Sequence, residues 1–139
     1  MKEVGPLNAD LSDVISRLGH RDEMIVCDAG FAIPQGVKTV DLSLAKDKPT
    51  VTELLDELKK HFSVEKLIFA NETKTVSPTK FKTLVDLFGK DVAVETVPLA
   101  EFRERAGSVK AVVRTGDFTA YSNVLLVSGA GNRWYVEKP

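Results

Sequence analysis

Apolar residues recur at helical spacing in three stretches of the chain, and each stretch predicts an amphipathic helix. The first begins at a cap on Asp10 or Ser12 and ends at Gly19, which suits the left-handed position after a helix. The third has a serine cap followed by Pro78 at the first helical position and ends at Gly89. The three helices are predicted over residues 10–18, 50–62 and 77–88, with a shorter one over 100–105.

Six short runs between these helices predict β-strands. Met24–Cys27 and Leu67–Ala70 are continuous apolar runs, which are typical of buried strands, whereas Lys38–Leu44 alternates polar and apolar residues and indicates a more exposed strand. The other strands are predicted over residues 92–97, 111–113 and 124–127. Helices that alternate with such strands predict an α/β fold: a single layered domain over residues 1–139, with a mainly parallel sheet flanked by helices.

Composition and charge narrow the classes of function. The 139 residues are 43% hydrophobic and 28% charged, and their net charge of -1 lacks the basic excess that a nucleic-acid partner requires. No apolar run approaches the roughly 20 residues that span a bilayer, and the first ten residues contain no apolar signal segment. Cys27 is the only cysteine, so neither an intrachain disulfide nor a multi-cysteine zinc site is expected. We expect a cytoplasmic protein without a membrane partner.

The first predicted strand lies between two residues that can move protons. His20 follows the turn at Gly19, and Asp28 ends the strand, so the helix-to-strand connection is expected to bring the imidazole and the carboxylate towards one edge, to act on a hydroxyl. Alternatively, His20 is a surface residue after a helix and Asp28 an ordinary turn residue. An aspartate at the end of a buried strand also occurs in phosphoryl-receiver domains, but their acidic pair near the first strand is missing here.

Ligands of parallel sheets bind outside the carboxyl ends of the strands, which draws attention to residues 28–30, 71–72, 114–117 and 121–123. Tyr121 and Asn123 flank Ser122 and form either a simple strand-entry turn or a pair of polar groups that suits a polyol. His61 lies at a helix end, where it complements the helix dipole, and Cys27 is expected to act as a small buried hydrophobe. No residues have metal-ligand spacing, and no glycine-rich phosphate motif is present.

Several segments resemble one known family. The segment from Leu18 to Gly30, continued by Ile33-Pro34 and Val40–Leu42, resembles the amino-terminal signature of D-ribose pyranases, whose sister family is the L-fucose mutarotases. The resemblance also covers residues 7–8, 111–117 and 121–124, whereas residues 62–97 match only in their pattern of elements. It implies the Rossmann-like pyranase and mutarotase fold.

The resemblance also implies roles for individual residues. His20 corresponds to the proton donor. The residues that correspond to sugar contacts are Asp28, Arg103, Tyr121, Ser122 and Asn123. Two features depart from the family: Leu99 replaces a second histidine three residues before Phe102, and residues 129–139 extend past the usual end of the last strand.

The function implied is that of an isomerase of ribose utilisation that interconverts the pyranose and furanose forms of D-ribose by acid and base catalysis of ring opening, without metal or cofactor. The family further implies a homodecamer of two pentameric rings, with sugar sites between neighbouring subunits. The alternatives are an L-fucose-type mutarotase and a non-catalytic cytoplasmic sugar-binding protein.

Overall fold

The computed structural model describes the whole chain, Met1–Pro139, and contains five helices and six strands. The helices are α1 (Ala9–Arg17), α2 (Val51–Leu58), α3 (Asn71–Val76), α4 (Pro78–Phe88) and α5 (Leu99–Arg105). The strands are β1 (Glu23–Cys27), β2 (Thr39–Asp41), β3 (Val64–Ala70), β4 (Ala93–Val97), β5 (Ala111–Arg114) and β6 (Val124–Ser128).

All six strands form one sheet in the order β2-β5-β1-β6-β3-β4. Five of them run in the same direction, and β6 alone is antiparallel to both of its neighbours, β1 and β3. The prediction of an α/β fold with a mainly parallel sheet is therefore confirmed. Because β6 is reversed, the residues that enter it lie at the same edge as the residues that leave β1 and β3.

The sheet is covered on both faces. Side chains alternate along β1, so Met24 and Val26 belong to the apolar cluster under α1, α2 and α4, whereas Ile25 and Cys27 belong to the cluster under α5. Phe102 of α5 is fully buried in the second cluster. This two-sided burial explains why the strand is a continuous apolar run.

Two helix starts show how local side chains set the boundaries. Thr50 and Glu53 form a reciprocal capping box at the start of α2. The cap of α1 is Asn8, whose Oδ1 accepts a hydrogen bond of 2.9 Å from the backbone N–H of Leu11. The prediction of Asp10 or Ser12 as this cap was therefore wrong; Ser12 Oγ instead donates to the carbonyl of Pro6.

Three elements differ from the predicted ones. The six-residue helix α3 was not predicted because its sequence, NETKTV, has no apolar stripe. Strand β2 is only three residues long, so the prediction over Lys38–Leu44 was too long. The regular part of α2 ends at Leu58, because the next residues continue in tighter turns, such as the one in which Lys60 N–H donates to the carbonyl of Glu57.

Candidate active site

Asp28 and Asn123 are joined at the carboxyl edge of the sheet. The backbone N–H of Asp28, directly after β1, donates to Oδ1 of Asn123, directly before β6, over 2.8 Å. The carboxylate oxygen Oδ1 of Asp28 accepts a bond of 3.0 Å from the N–H of Gly30. The antiparallel pairing of β1 with β6 therefore fixes the position of Asp28.

The Asp28 carboxyl group has an unfavourable environment for its charge. Burial raises its pKa above the ordinary value, and the negative charge of Asp117 acts in the same direction. The N–H groups of Gly30 and Phe31 and the side chain of Asn123 oppose this shift only in part. A sugar hydroxyl that donates to this carboxylate would supply stabilisation that the protein does not.

Tyr121 and Ser122 are held in a tight turn before β6. Tyr121 has a φ of 58°, which is rare for a residue with a side chain, and its carbonyl accepts a 2.6 Å hydrogen bond from Oγ1 of Thr73 in α3. Ser122 is fully buried, and its hydroxyl donates to the carbonyl of Thr119 over 2.9 Å. The Ser122 hydroxyl thus stabilises the turn that presents Tyr121 and Asn123.

A second carboxylate, Asp117, lines the same small cavity of about 350 Å³ as Asp28. It is almost fully buried and accepts hydrogen bonds from Lys80 Nζ at 2.8 Å and from the N–H of Val51 at 2.9 Å. Burial alone would raise its pKa, but Lys80 and the N–H groups of Thr119 and Val51 outweigh burial and hold the pKa below its usual value. Asp117 therefore connects its loop to α2 and α4 through the hydrogen bonds that it accepts. The Asp28 carboxylate has no cation partner and can accept further hydrogen bonds from a ligand.

His20 lies at the other edge of the sheet. It is exposed in the connection between α1 and β1 and lines a cavity of about 520 Å³ together with His61, Ser63 and residues of the carboxyl-terminal segment. The expectation that His20 and Asp28 share one edge within a chain was wrong. The five residues of β1 separate them, and an extended strand of that length spans about 17 Å.

His61 shares the His20 cavity, which its position at a helix end did not indicate. Its Nε2 lies 2.7 Å from Oε2 of Glu57, one helical turn earlier. This contact orients the ring and draws it towards α2. The cavity therefore holds two imidazoles, of which only His61 has a carboxylate partner within the chain.

Leu99 and Arg103 lie on α5, which follows the carboxyl end of β4. Leu99 is half-buried and packs against the apolar cluster that includes Phe102. Arg103 is exposed one helical turn further along. α5 therefore begins at the same edge as Asp28.

Three side chains at or just after the carboxyl ends of strands have distinct environments. Cys27 is fully buried, and burial raises the pKa of its thiol to about 12, so it remains a protonated hydrophobe as predicted. Glu72 Oε2 and Arg114 Nε are buried atoms without hydrogen-bond partners. The sequence singled out their segments as following strands, but nothing in the local pattern marked these two side chains.

No three histidine, cysteine or acidic side chains approach one another closely enough to hold a metal ion. None of the five helices is long and apolar enough to cross a membrane.

Known proteins match nearly the whole chain. The model of the RbsD / FucU transport protein family matches residues 1–131. The chain belongs to this family. Among its RbsD / FucU relatives, the D-ribose pyranase of Pseudothermotoga lettingae is 41% identical over 129 residues, 93% of this chain and 92% of that protein. The D-ribose pyranase of Thermotoga petrophila is 42% identical over 93% of this chain and 98% of that protein.

Solved structures of the RbsD / FucU family show the same fold. RbsD of Bacillus subtilis, complexed with D-ribose, superposes with a TM-score of 0.89 at 37% identity and covers 94% of this chain and 98% of its own. The fucose mutarotase of Streptococcus pneumoniae, complexed with L-fucose, superposes with a TM-score of 0.68 at 20% identity over 90% of this chain and 94% of its own, a likeness of fold. Residues 132–139 lie beyond the RbsD / FucU model.

Proposed function

We propose that this protein is a D-ribose pyranase, an isomerase that interconverts the pyranose and furanose forms of D-ribose through the open-chain aldehyde. The observation that carries the proposal is the superposition on RbsD of Bacillus subtilis complexed with D-ribose, at a TM-score of 0.89 over 94% of this chain. The identity of 41–42% to D-ribose pyranases over 93% of the chain supports the same activity.

The proposed site is composite, with its two halves on different copies of the chain. His20 of one copy is the proton donor, and the sugar contacts come from the carboxyl edge of a neighbouring copy. These contacts are Asp28, Arg103, Tyr121 and Asn123, and the buried Ser122 takes part through the turn that presents the last two. Their separation from His20 by the length of β1 supports this arrangement, because a single monosaccharide cannot reach both edges of one sheet.

Ring opening adds one proton to the ring oxygen and removes another from the anomeric hydroxyl. Protonated His20 gives a proton to the ring oxygen as the bond from that oxygen to the anomeric carbon breaks, and a base removes the proton of the anomeric hydroxyl, which becomes the aldehyde. A different hydroxyl then attacks the aldehyde carbon and gives its proton to His20, while the base returns its proton to the aldehyde oxygen. The other ring form is thereby closed, and both groups are restored. Asp28 holds the sugar through hydroxyl groups that donate to its carboxylate. Positioned acid and base groups contribute about 10²- to 10⁴-fold, enough for a reaction that proceeds unaided in water.

Assembly follows from the composite site. The proposal includes a homodecamer of two pentameric rings formed by a one-domain chain. Two apolar side chains near the Asp28 edge are exposed in the single chain, which supports burial of this surface against a neighbouring subunit. Phe118, which lines the Asp28 cavity, is 63% exposed, and Leu44 is 83% exposed. Sedimentation at micromolar concentration tests this, and a species of the chain mass, 15.2 kDa, would contradict it. Cytoplasmic ribose utilisation, without cofactor or metal, completes the proposal.

Saturation-transfer NMR on D-ribose tests the activity. The protein is expected to accelerate exchange between the pyranose and furanose signals in proportion to its concentration. Exchange at the rate of free ribose would contradict the proposal. A parallel measurement on L-fucose tests the alternative of a fucose-type mutarotase, and binding of ribose without faster exchange would indicate a sugar-binding protein.

A further inference from the structure

The carboxyl-terminal segment folds back over the His20 cavity and is anchored there by Arg133. Its guanidinium donates to the backbone carbonyl of Lys60 at 3.2 Å and to that of Phe62 at 3.4 Å. These carbonyls follow the end of α2, where the helix itself provides no donors. Arg133 therefore donates to two carbonyl groups that the helix leaves without a donor. These two hydrogen bonds define the path of the carboxyl-terminal segment.

The glycine at position 129 allows the segment to pass close to the start of β3. A Cβ atom at Gly129 would overlap the Glu65 side chain, whereas one at Gly131 would make only an ordinary contact, 3.4 Å from the Ser63 side chain. The N–H of Gly129 also donates to the carbonyl of Ser63 at 3.2 Å. The close approach brings the next residues to the rim of the cavity.

Trp134 is one of these residues, and a single hydrogen bond holds its indole ring. Its indole Nε1–H donates to Oγ of Ser63 at 3.2 Å, and the residue lines the cavity with His20 while remaining 70% exposed. Its neighbour Tyr135 is 92% exposed and does not line the cavity. The hydrogen bond thus fixes the orientation of the ring and leaves most of its surface open.

We propose that Trp134 is a sugar-contacting residue that forms an apolar wall of the His20 half of the site. This inference rests on the proposed function. The C–H groups on one face of a ring sugar are apolar and pack on an aromatic surface, while the hydroxyl groups turn to polar partners. A sugar held against the indole has its ring oxygen kept near His20. Since residue 134 lies beyond the matched 1–131, the contact is an addition to the family site.

Fluorescence tests the contact directly, because Trp134 is the only tryptophan of the chain. Titration with D-ribose is expected to change the tryptophan emission with saturation and to protect the indole from quenching by acrylamide. Emission and quenching that stay constant at ribose concentrations that saturate ring-form exchange would overturn the inference.

Variants separate a sugar contact from a structural role. Trp134→Ala is expected to raise the KM for ribose about three- to tenfold with kcat within a factor of two, the effect of losing one aromatic contact. Trp134→Phe, which keeps an aromatic face, is expected to recover most of the affinity. Tyr135→Ala is the matched control and is expected to behave as the unaltered protein.

Two results for Trp134→Ala would overturn the assignment. The first is an unaltered KM for ribose. The second is dissociation of the subunits in sedimentation, because the indole would then stabilise the assembly and not the sugar complex. The proposed function fails separately. If ribose changes the emission but ring-form exchange is not accelerated, the sugar contact stands and the isomerase activity does not. If exchange is accelerated and the emission is constant, the activity stands and the contact does not.

Discussion

His20 and Asp28 precede and follow the same strand, β1, and therefore line different cavities at opposite edges of the sheet. In the proposed composite site, a subunit with His20→Ala still offers an intact Asp28 edge, and a subunit with Asp28→Asn still offers an intact His20. Each variant alone is expected to be impaired, His20→Ala in proton transfer and Asp28→Asn in ribose binding. Co-assembled in equal amounts they are expected to regain activity, since random association leaves about a quarter of the interfaces with both intact halves.

The measurement is ring-form exchange after joint refolding of the two variants, with separately refolded and then mixed samples as the control. If the jointly refolded sample is no more active than the control, His20 and Asp28 do not belong to one shared site.

His20→Ala is expected to lower the exchange rate by about 10²- to 10⁴-fold, because the imidazole is the proposed proton donor. His20 is exposed, so the melting temperature is expected to stay the same. His61→Ala is the matched variant in the same cavity, and it is expected to keep most of kcat because His61 is bonded to Glu57. An equal loss in both variants would mean that the two imidazoles share the proton transfer.

Asp28→Asn is expected to make the protein more stable at neutral pH while it weakens ribose binding. Burial raises the pKa of Asp28, so the folded protein holds this proton to a higher pH than the unfolded chain does, and the free energy of unfolding falls as pH rises between the two pKa values. The stability gain of the variant should therefore shrink as pH falls through the raised pKa of Asp28 and disappear below the ordinary value of 3.8. Thermal unfolding between pH 3 and pH 7 measures it; a gain that is constant with pH would contradict the assignment to this carboxyl.

Lys80→Met is expected to destabilise the protein by about 3–5 kcal/mol, because it leaves the buried Asp117 carboxylate without its cation. Lys82→Met is the control: it breaks the exposed pair with Asp86 and is expected to leave the free energy of unfolding nearly unchanged. Since Lys80 lowers the pKa of Asp117, this pair stabilises the fold above the ordinary pKa of 3.8 and loses its effect as pH falls below it. Denaturant unfolding compares the two variants, and equal losses would refute the argument.

Leu99→His introduces the histidine that the resemblance to D-ribose pyranases implies at this position. If that imidazole binds a sugar hydroxyl, the KM for ribose is expected to fall with kcat unchanged. The fall should correspond to the binding free energy of one hydrogen bond, about 0.5–1.5 kcal/mol. Arg103, one turn along α5, already offers a donor at this edge, which favours a binding effect over a catalytic one. A large rise in kcat would instead assign proton transfer to this position, and no change would show that it does not line the site.

The sequence predicted elements whose stability comes from their own side chains. The run Met24–Cys27 predicted β1 correctly because every one of its residues is buried between two apolar clusters. Helix α3 was missed because it is supported from outside its sequence, by the bond from Thr73 to the carbonyl of Tyr121, 48 residues away.

The sequence drew attention to individual candidate residues but not to their arrangement. The bond between Asp28 and Asn123 joins residues 95 positions apart and depends on the strand order. For His20 the expectation failed on geometry: the predicted strand Met24–Cys27 already lies between His20 and Asp28, and an extended strand places them at its opposite ends. The reversed direction of β6, by contrast, could not be predicted. Strand direction is decided by long-range pairing, which no local pattern records.

The two ends of the reversed strand β6 lie at the two cavities. Its entry at Asn123 helps to position Asp28, and its exit at Ser128 and Gly129 lines the His20 cavity. A slip of two residues along its neighbours would keep every side chain on its own face, yet it would displace both ends by about 7 Å. We therefore expect an insertion or deletion within residues 124–128 to displace residues at both cavities.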